Sequence, residues 1–391
     1  MSSENRIRNL VPALEKTPYG KWLKLEGLPV FEGYGLEDVR ELELAPWARL
    51  GGKGAFIQLY GMEGFTGMYV AEIPAGGTLE PERHLYEEVI CILDGNGATE
   101  IWQEERAKRM FEWGKGSLFA PPVNCWHRLI NGGREPVRFL AVTNAPLVMD
   151  VFHNVDFIFN CPYAFTDRYA GEENYFAMGD KRYEDGRQHI WETNFIADVR
   201  SASLDARDIK GAGVRLTQFE LSANSLIGHL AQWPAGRYHK AHYHGPGAIL
   251  LGLQSSGYVL LWPKEAGVRP YESGNSDQVV EVKWRAGSVY CPPNHWFHQH
   301  FNTGPEPARH LAVRYGGKLF PMGVKVAGRF MMQGEDSEPY TSVRDGGTLI
   351  EYEDEDPEIR RRYEDELKGF GVPCHMPEIK RAADQTYSLQ R

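Results

Sequence analysis

One stretch of this chain occurs twice. Gly116-Ser-Leu-Phe-Ala-Pro-Pro-Val-Asn-Cys-Trp-His127-Arg-Leu-Ile-Asn131 aligns without a gap with Gly287-Ser-Val-Tyr-Cys-Pro-Pro-Asn-His-Trp-Phe-His298-Gln-His-Phe-Asn302. Upstream, Ile73-Pro-Ala-Gly76 matches Trp233-Pro-Ala-Gly236. Downstream, Glu135-Pro-Val-Arg-Phe-Leu-Ala-Val142 matches Glu306-Pro-Ala-Arg-His-Leu-Ala-Val313. Three matched blocks in one order mark a duplicated domain. The two halves must then share one fold, with the repeated Gly, Pro, His and Asn serving the same turns.

Both copies read as β. Short alternating or apolar runs (Tyr69 to Ile73, Val89 to Leu93, Arg138 to Val142, Ala248 to Leu253, Tyr258 to Trp262, His310 to Tyr315) are bounded by Gly, Pro, Asn and Asp. Many short strands with such turns predict sandwich or barrel domains, and Gly95-Asn-Gly97 signals a tight turn between two strands. The organisation expected is an N-terminal extension (1–45), a first barrel (46–150), an aromatic-rich connector (151–205), a second barrel (206–330) and a polar, partly helical tail (331–391). The extension is expected to pack on the first barrel. The connector, dense in Phe and Tyr, is too apolar for a floppy linker and is expected to lie against a barrel or close a cavity mouth. In the tail, Glu351 to Leu367 reads as a solvated helix, with Pro357 in its first turn and Gly369 or Gly371 as its stop.

With 391 residues and 42% hydrophobic content, each half can bury its own core. The formal net charge of −10 excludes the basic face that nucleic acid or anionic lipid would require. The scattered cysteines, 5 in number and without a CxxC pair, read as reduced thiols in a cytoplasmic protein. The start has no apolar core of a secretory signal, and no apolar run approaches the ~20 residues that span a bilayer.

The chemistry-bearing residues concentrate in the second copy. His242-Tyr-His244 puts two imidazoles on one face of an extended strand, because side chains alternate. His298 on a neighbouring strand completes a facial set of three neutral nitrogen donors. Imidazole suits Zn, Cu, Fe and Ni, and three protein ligands leave positions open for substrate or oxygen.

These motifs resemble those of the two-domain cupins. That family's first motif is Gly, five residues, His-x-His, three or four residues, Glu, six residues, Gly; its second carries a further His. The resemblance implies an all-β fold of two double-stranded β-helix (jelly-roll) barrels with short peripheral helices. In the first copy Glu82 stands where the first histidine of the pair would be, followed by His84, Glu88 and, later, His127. Either these four hold a metal, or that barrel is structural with Glu88 and His84 as a hydrogen-bonded pair. In the second copy the family's glutamate falls at Ala248 or Ile249, so the implied ligands are His242, His244 and His298 with no carboxylate.

A His-x-His followed by a small and apolar run is similar to the gentisate and hydroxynaphthoate ring-cleaving dioxygenases. The function implied is an Fe(II)-dependent dioxygenase taking dioxygen and a small chelating substrate, a hydroxy-aromatic acid or a dicarbonyl. Mn, Ni and Zn are the alternative metals. The alternative functions are a non-oxidative metal-dependent enzyme (decarboxylase, lyase or isomerase) and a ligand-binding cupin without turnover. Strand parity adds His300 as an acid/base candidate on the face of His298, with Trp296. Arg314 is the candidate for a substrate carboxylate, with His310 and Gln254 as further substrate contacts. A core-bonded His300 and a surface ion pair for Arg314 are the bland alternatives. His239 and His295 are expected at loop positions just outside the ligands. Cupins commonly pair their barrels, which implies a homo-oligomer.

Overall fold

The apolar runs shared by the two halves form strands because both of their faces are covered. The computed structural model describes residues 14–104, 106–177, 179, 181–185, 188–205, 208, 210–245, 248–315, 325–326, 329–330 and 341–379. The first residues of the expected tail, 331–340, lie outside this set. Strand β1 (Gly35–Leu36) precedes the first barrel. That barrel contains β2 (Gly52–Leu59), β3 (Gly67–Ile73), β4 (Glu88–Asp94), β5 (Asn96–Trp102), β6 (Arg109–Gly114), β7 (Leu118–Phe119), β8 (Trp126–Ile130) and β9 (Val137–Thr143). Strand β10 (Phe195–Ile196) precedes the second. Its strands are β11 (Arg215–Glu220), β12 (Leu226–Trp233), β13 (Ile249–Gln254), β14 (Ser256–Pro263), β15 (Val280–Arg285), β16 (Val289–Tyr290), β17 (Trp296–Asn302) and β18 (Ala308–Tyr315). Helices α1 (Pro18–Glu26), α2 (Ala145–Phe152), α3 (Val155–Asn160) and α4 (Pro357–Phe370) lie around them.

Each half is a pair of facing sheets. The larger sheets run β2-β3-β9-β4-β7-β10 and β11-β12-β18-β13-β16-β1; the smaller run β8-β5-β6 and β17-β14-β15. The order agrees strand for strand, so the repeat specifies two jelly-roll barrels of one topology. Within β9, Phe139 and Ala141 turn into the barrel to meet Tyr69, Ile90 and Ile101. Leu140 and Val142 turn the other way and pack with Leu311 and Val313 of the second barrel. The large sheets therefore face each other across a shared apolar layer, and their strands read as unbroken hydrophobic runs rather than alternations.

The arms before the barrels are exchanged. β1, ahead of the first barrel, pairs with β16 of the second, and β10, ahead of the second, pairs with β7 of the first. Each arm continues into Asp-Val-Arg. The Val39 N–H donates to the Gly287 carbonyl at 2.9 Å and the Val199 N–H to that of Gly116 at 2.8 Å. Arg40 and Arg200 each fork onto the aspartate two residues before. The extension is thus divided: Tyr19, Trp22 and Leu23 of α1 join the first core as expected, whereas Gly35 to Arg40 crosses to the second barrel.

Two local expectations change. Gly95 (φ 87°) links β4 to β5, which belong to different sheets; it is a barrel corner rather than a hairpin, and a Cβ there would lie 2.5 Å from Val137. Asn124 (φ 58°) and His295 (φ 59°) hold the left-handed backbone at matching turns. The Asn124 amide secures its turn by donating to the carbonyls of Cys161 and Tyr163. Helix α4 is capped by the Asp356 side chain and ends at Gly371 in the left-handed region. It is not solvated all round: Ile359, Tyr363 and Leu367 are buried against the second barrel's smaller sheet, and the Tyr363 hydroxyl donates to the Asn302 carbonyl at 2.8 Å. Among the described residues no helix is long and apolar enough to cross a membrane.

Candidate metal centres in the two barrels

His242, His244 and His298 converge in the second barrel, with one ligand nitrogen from each lying within 4.8 Å of the others. His242 forms an isolated bridge with His298, so the chain carrying the pair runs alongside β17. Ring centroids are 4.3 Å apart for His242 and His298 and 4.6 Å for His244 and His298. Each Nδ1–H donates to a backbone carbonyl: His242 to Lys240 at 3.1 Å, His244 to Gly245 at 2.8 Å and His298 to Trp296 at 3.2 Å. This fixes the tautomer and presents the Nε2 lone pairs, the usual support of a metal-ligating imidazole. Burial, followed by the charge of Lys210 and the neighbouring imidazoles, pushes protonation of His242 far down. His298 follows the same direction, and His244 is lowered to about 4. All three are neutral donors at pH 7.

The first barrel brings together Glu82, His84, Glu88 and His127, again with ligand atoms within 4.8 Å. The Nδ1 groups donate to the carbonyls of Tyr86 and Cys125. His84 Nε2 and His127 Nε2 then stand 3.8 and 3.6 Å from Glu88 Oε2, too far for a hydrogen bond. The expected structural pair of Glu88 with His84 is therefore not formed. These three buried atoms have no hydrogen-bond partner, an arrangement that burial penalises unless a cation joins them. Burial alone would raise the Glu88 carboxyl; His127 and His84 overcome it and hold it low. The site is also closed. Tyr86 stacks on His84 at 3.6 Å, Phe159 of α3 abuts both rings, and Arg49 clamps Glu82. The cavity beside Tyr69, Glu82, Glu88 and His127 holds about 10 Å³, room for about one water. The connector lies against the first barrel, where Phe159 covers the rings of His84 and Tyr86.

Residues 69–143 match the family model described as a cupin domain. The first barrel is a cupin domain. The second repeats its strand order and turn residues, so the chain carries two barrels of the cupin kind. Among solved structures it is similar to mutants of Bacillus subtilis oxalate decarboxylase OxdC. One shares 14% identity over 72% of this chain and 77% of that chain at a TM-score of 0.46; another shares 13% over 72% and 76% at 0.46. No curated protein matches the sequence.

The remaining candidates divide within the second cupin barrel. His300 is buried with its Nδ1 2.9 Å from the Tyr290 hydroxyl, which also lies 3.0 Å from His310 Nδ1. The Tyr290 hydroxyl thus bridges the two imidazoles. His310 is sealed between Trp233 and Trp284, with centroids at 4.8 and 4.5 Å, which removes it from the expected contact with substrate. Gln254 is turned to the surface, where its amide donates to Glu306. Arg314 lies on the inward face of β18, bonded to Gln218 Oε1 at 3.2 Å and to the Tyr315 carbonyl at 3.0 Å. His239, expected in a loop outside the ligands, is buried and packs on Trp233 at 4.3 Å. His295 takes a turn position, its N–H directed to the His244 carbonyl. Sequence reasoning missed His229, Gln218 and Tyr290. Strand parity counted back from Trp233 would have found His229.

Proposed function

We propose that the second barrel is the reactive one, an Fe(II)-dependent dioxygenase site for a small acidic chelator. The observation that carries this is the ligand set: three imidazoles, held as neutral donors by backbone carbonyls, with no carboxylate among the described residues near enough to join them. Bound there, Fe(II) would supply the redox chemistry that couples such a substrate to dioxygen. The chain's own part is to orient and to desolvate. His242, His244 and His298 fix the position of the cation, and buried Trp296 shares the face of His298 on β17. His300, held in one orientation by Tyr290, stands 5.6 Å from His298 ring to ring and is placed to hold a proton at its free edge. The likeness of His-x-His plus a small apolar run to the gentisate-type dioxygenases supports the same reading.

The first barrel supports a second reading, a non-oxidative metal enzyme such as a decarboxylase. Its two carboxylates and two imidazoles suit harder ions such as Mn(II). Against it stands the size of the first cavity, which admits no organic substrate.

The test is the metal content of untagged protein together with oxygen consumption over a panel of hydroxy-aromatic acids and dicarbonyl compounds. Iron lost on His242→Ala, with substrate-dependent oxygen uptake lost in parallel, is the expected result. Turnover that is equally fast without oxygen would refute the dioxygenase and leave the non-oxidative enzyme.

A further inference from the structure

The two barrels share one topology, so each interior position in one has a counterpart in the other. In the first barrel Glu88 pairs with Thr143 and Val89 with Val142. In the second, Ile249 pairs with Val313, the repeat partner of Val142. Ala248 therefore takes the place of Glu88, and Arg314 beside it takes that of Thr143. One step along, Tyr69 pairs with Ala141 and His229 with Ala312, so His229 replaces Tyr69, whose hydroxyl donates to Glu88 in the first barrel. Across the next strand, Phe56 pairs with Tyr69 and Gln218 with His229, so Gln218 replaces Phe56.

The four exchanges run in one chemical direction. A ligand carboxylate becomes a methyl group, and the wall behind it changes from Phe, Tyr and Thr to Gln, His and Arg. Arg314 donates to Gln218 on the far strand, so its guanidinium lies along this wall. Burial, followed by the charges of Lys210 and Arg314, disfavours protonation of His229. Glu220 shares the face of β11 with Gln218.

We propose that the position filled by the Glu88 carboxylate in the first barrel is kept open in the second as a subsite for a carboxylate of the substrate, with Ala248 making the room and Arg314, His229 and Gln218 facing it. The proposal rests on the metal reading of the second barrel. Three neutral ligands leave a divalent cation's charge uncompensated, and an anion brought by the substrate restores what the missing glutamate would have supplied. The substrate class is a small carboxylic acid with an adjacent oxygen donor. Its carboxylate would meet the planar fork of Arg314.

The experiment is calorimetric titration of Mn(II)-loaded protein with salicylate and with catechol, two chelators of similar size of which only the first carries a carboxylate. The first cavity is too small for either probe, so binding reports on the second. Wild-type protein is expected to bind salicylate more tightly than catechol. Arg314→Gln is expected to weaken salicylate about 10-fold and to leave catechol within about twofold. Ala248→Glu, which supplies a carboxylate internally, is expected to retain its metal and lose salicylate binding. Equal affinity for the two probes in wild type, or salicylate binding untouched by Arg314→Gln, overturns the subsite while leaving the metal reading intact. Unchanged metal content in His242→Ala overturns the metal reading itself.

Discussion

Leu349 forms a β-bridge with His242, so the segment carrying two of the candidate ligands is held from outside by the C-terminal tail. The Tyr243 N–H donates to the Thr348 carbonyl at 3.2 Å and the Ile350 N–H to that of Ala241 at 2.8 Å. On its other side the same segment exchanges backbone bonds with His298. Replacing Ile350 with proline deletes a buried donor, at a cost of about 1–3 kcal/mol. The expected outcome is faster loss of metal from the second barrel, with the first unaffected, as measured by chelator competition on the wild type and the variant.

The two centres should differ in their response to acid. Burial opposes the charged form of His127, but Glu88 and Glu82 outweigh it and raise its proton affinity. A metal entering the first barrel must displace that proton, so its affinity should climb as pH rises through neutrality. His242 and His298 are held far below ordinary histidine values and His244 at about 4. They have no proton to surrender near neutral pH, and affinity there should be flat. Metal titrations of His242→Ala and His127→Ala at acid and alkaline pH isolate each centre; equal slopes would contradict this assignment.

Tyr69 donates its hydroxyl to buried Glu88 Oε1. Tyr69→Phe leaves the ring in place and removes that donor. Loss of such a support is expected to weaken first-barrel metal binding by roughly 10- to 100-fold, with the second barrel unchanged, in a competition assay on each site.

Glu63 links the barrels by accepting the Asn294 N–H at 2.8 Å. Burial raises its carboxyl from 4.5 to about 7, partly countered by that hydrogen bond. The folded chain then keeps a proton that the unfolded chain releases between these values. Stability is therefore greatest below this window and falls as pH rises through it, by on the order of 1–3 kcal/mol. Thermal unfolding at pH 5 and pH 8 should show the difference, and Glu63→Gln should reduce it.

Much of this architecture was legible in the gapless repeat, because a duplicated run of Gly, Pro and Asn constrains turns, and turns constrain strand order. His242, His244 and His298 were legible for a related reason: alternation on a strand is a local rule. What escaped was set by contacts distant in sequence. Gln254 shares a strand with Leu250 and Leu251, but the register shift between Gly252 and Gln254 frees its amide to reach Glu306. Arg314 and His310 sit on one face of β18, yet two tryptophans from other strands enclose only His310. The charged surface of α4 concealed its apolar stripe because Ile359, Tyr363 and Leu367 are spaced among arginines and glutamates.

The crossed arms carry an implication for ancestry and assembly. In a single-barrel precursor with the same leading segment, the same pairing would have run between sister molecules. Joining two such genes turns a reciprocal embrace between subunits into an internal one. A nick in the connector should accordingly leave two fragments that remain clasped rather than two that drift apart.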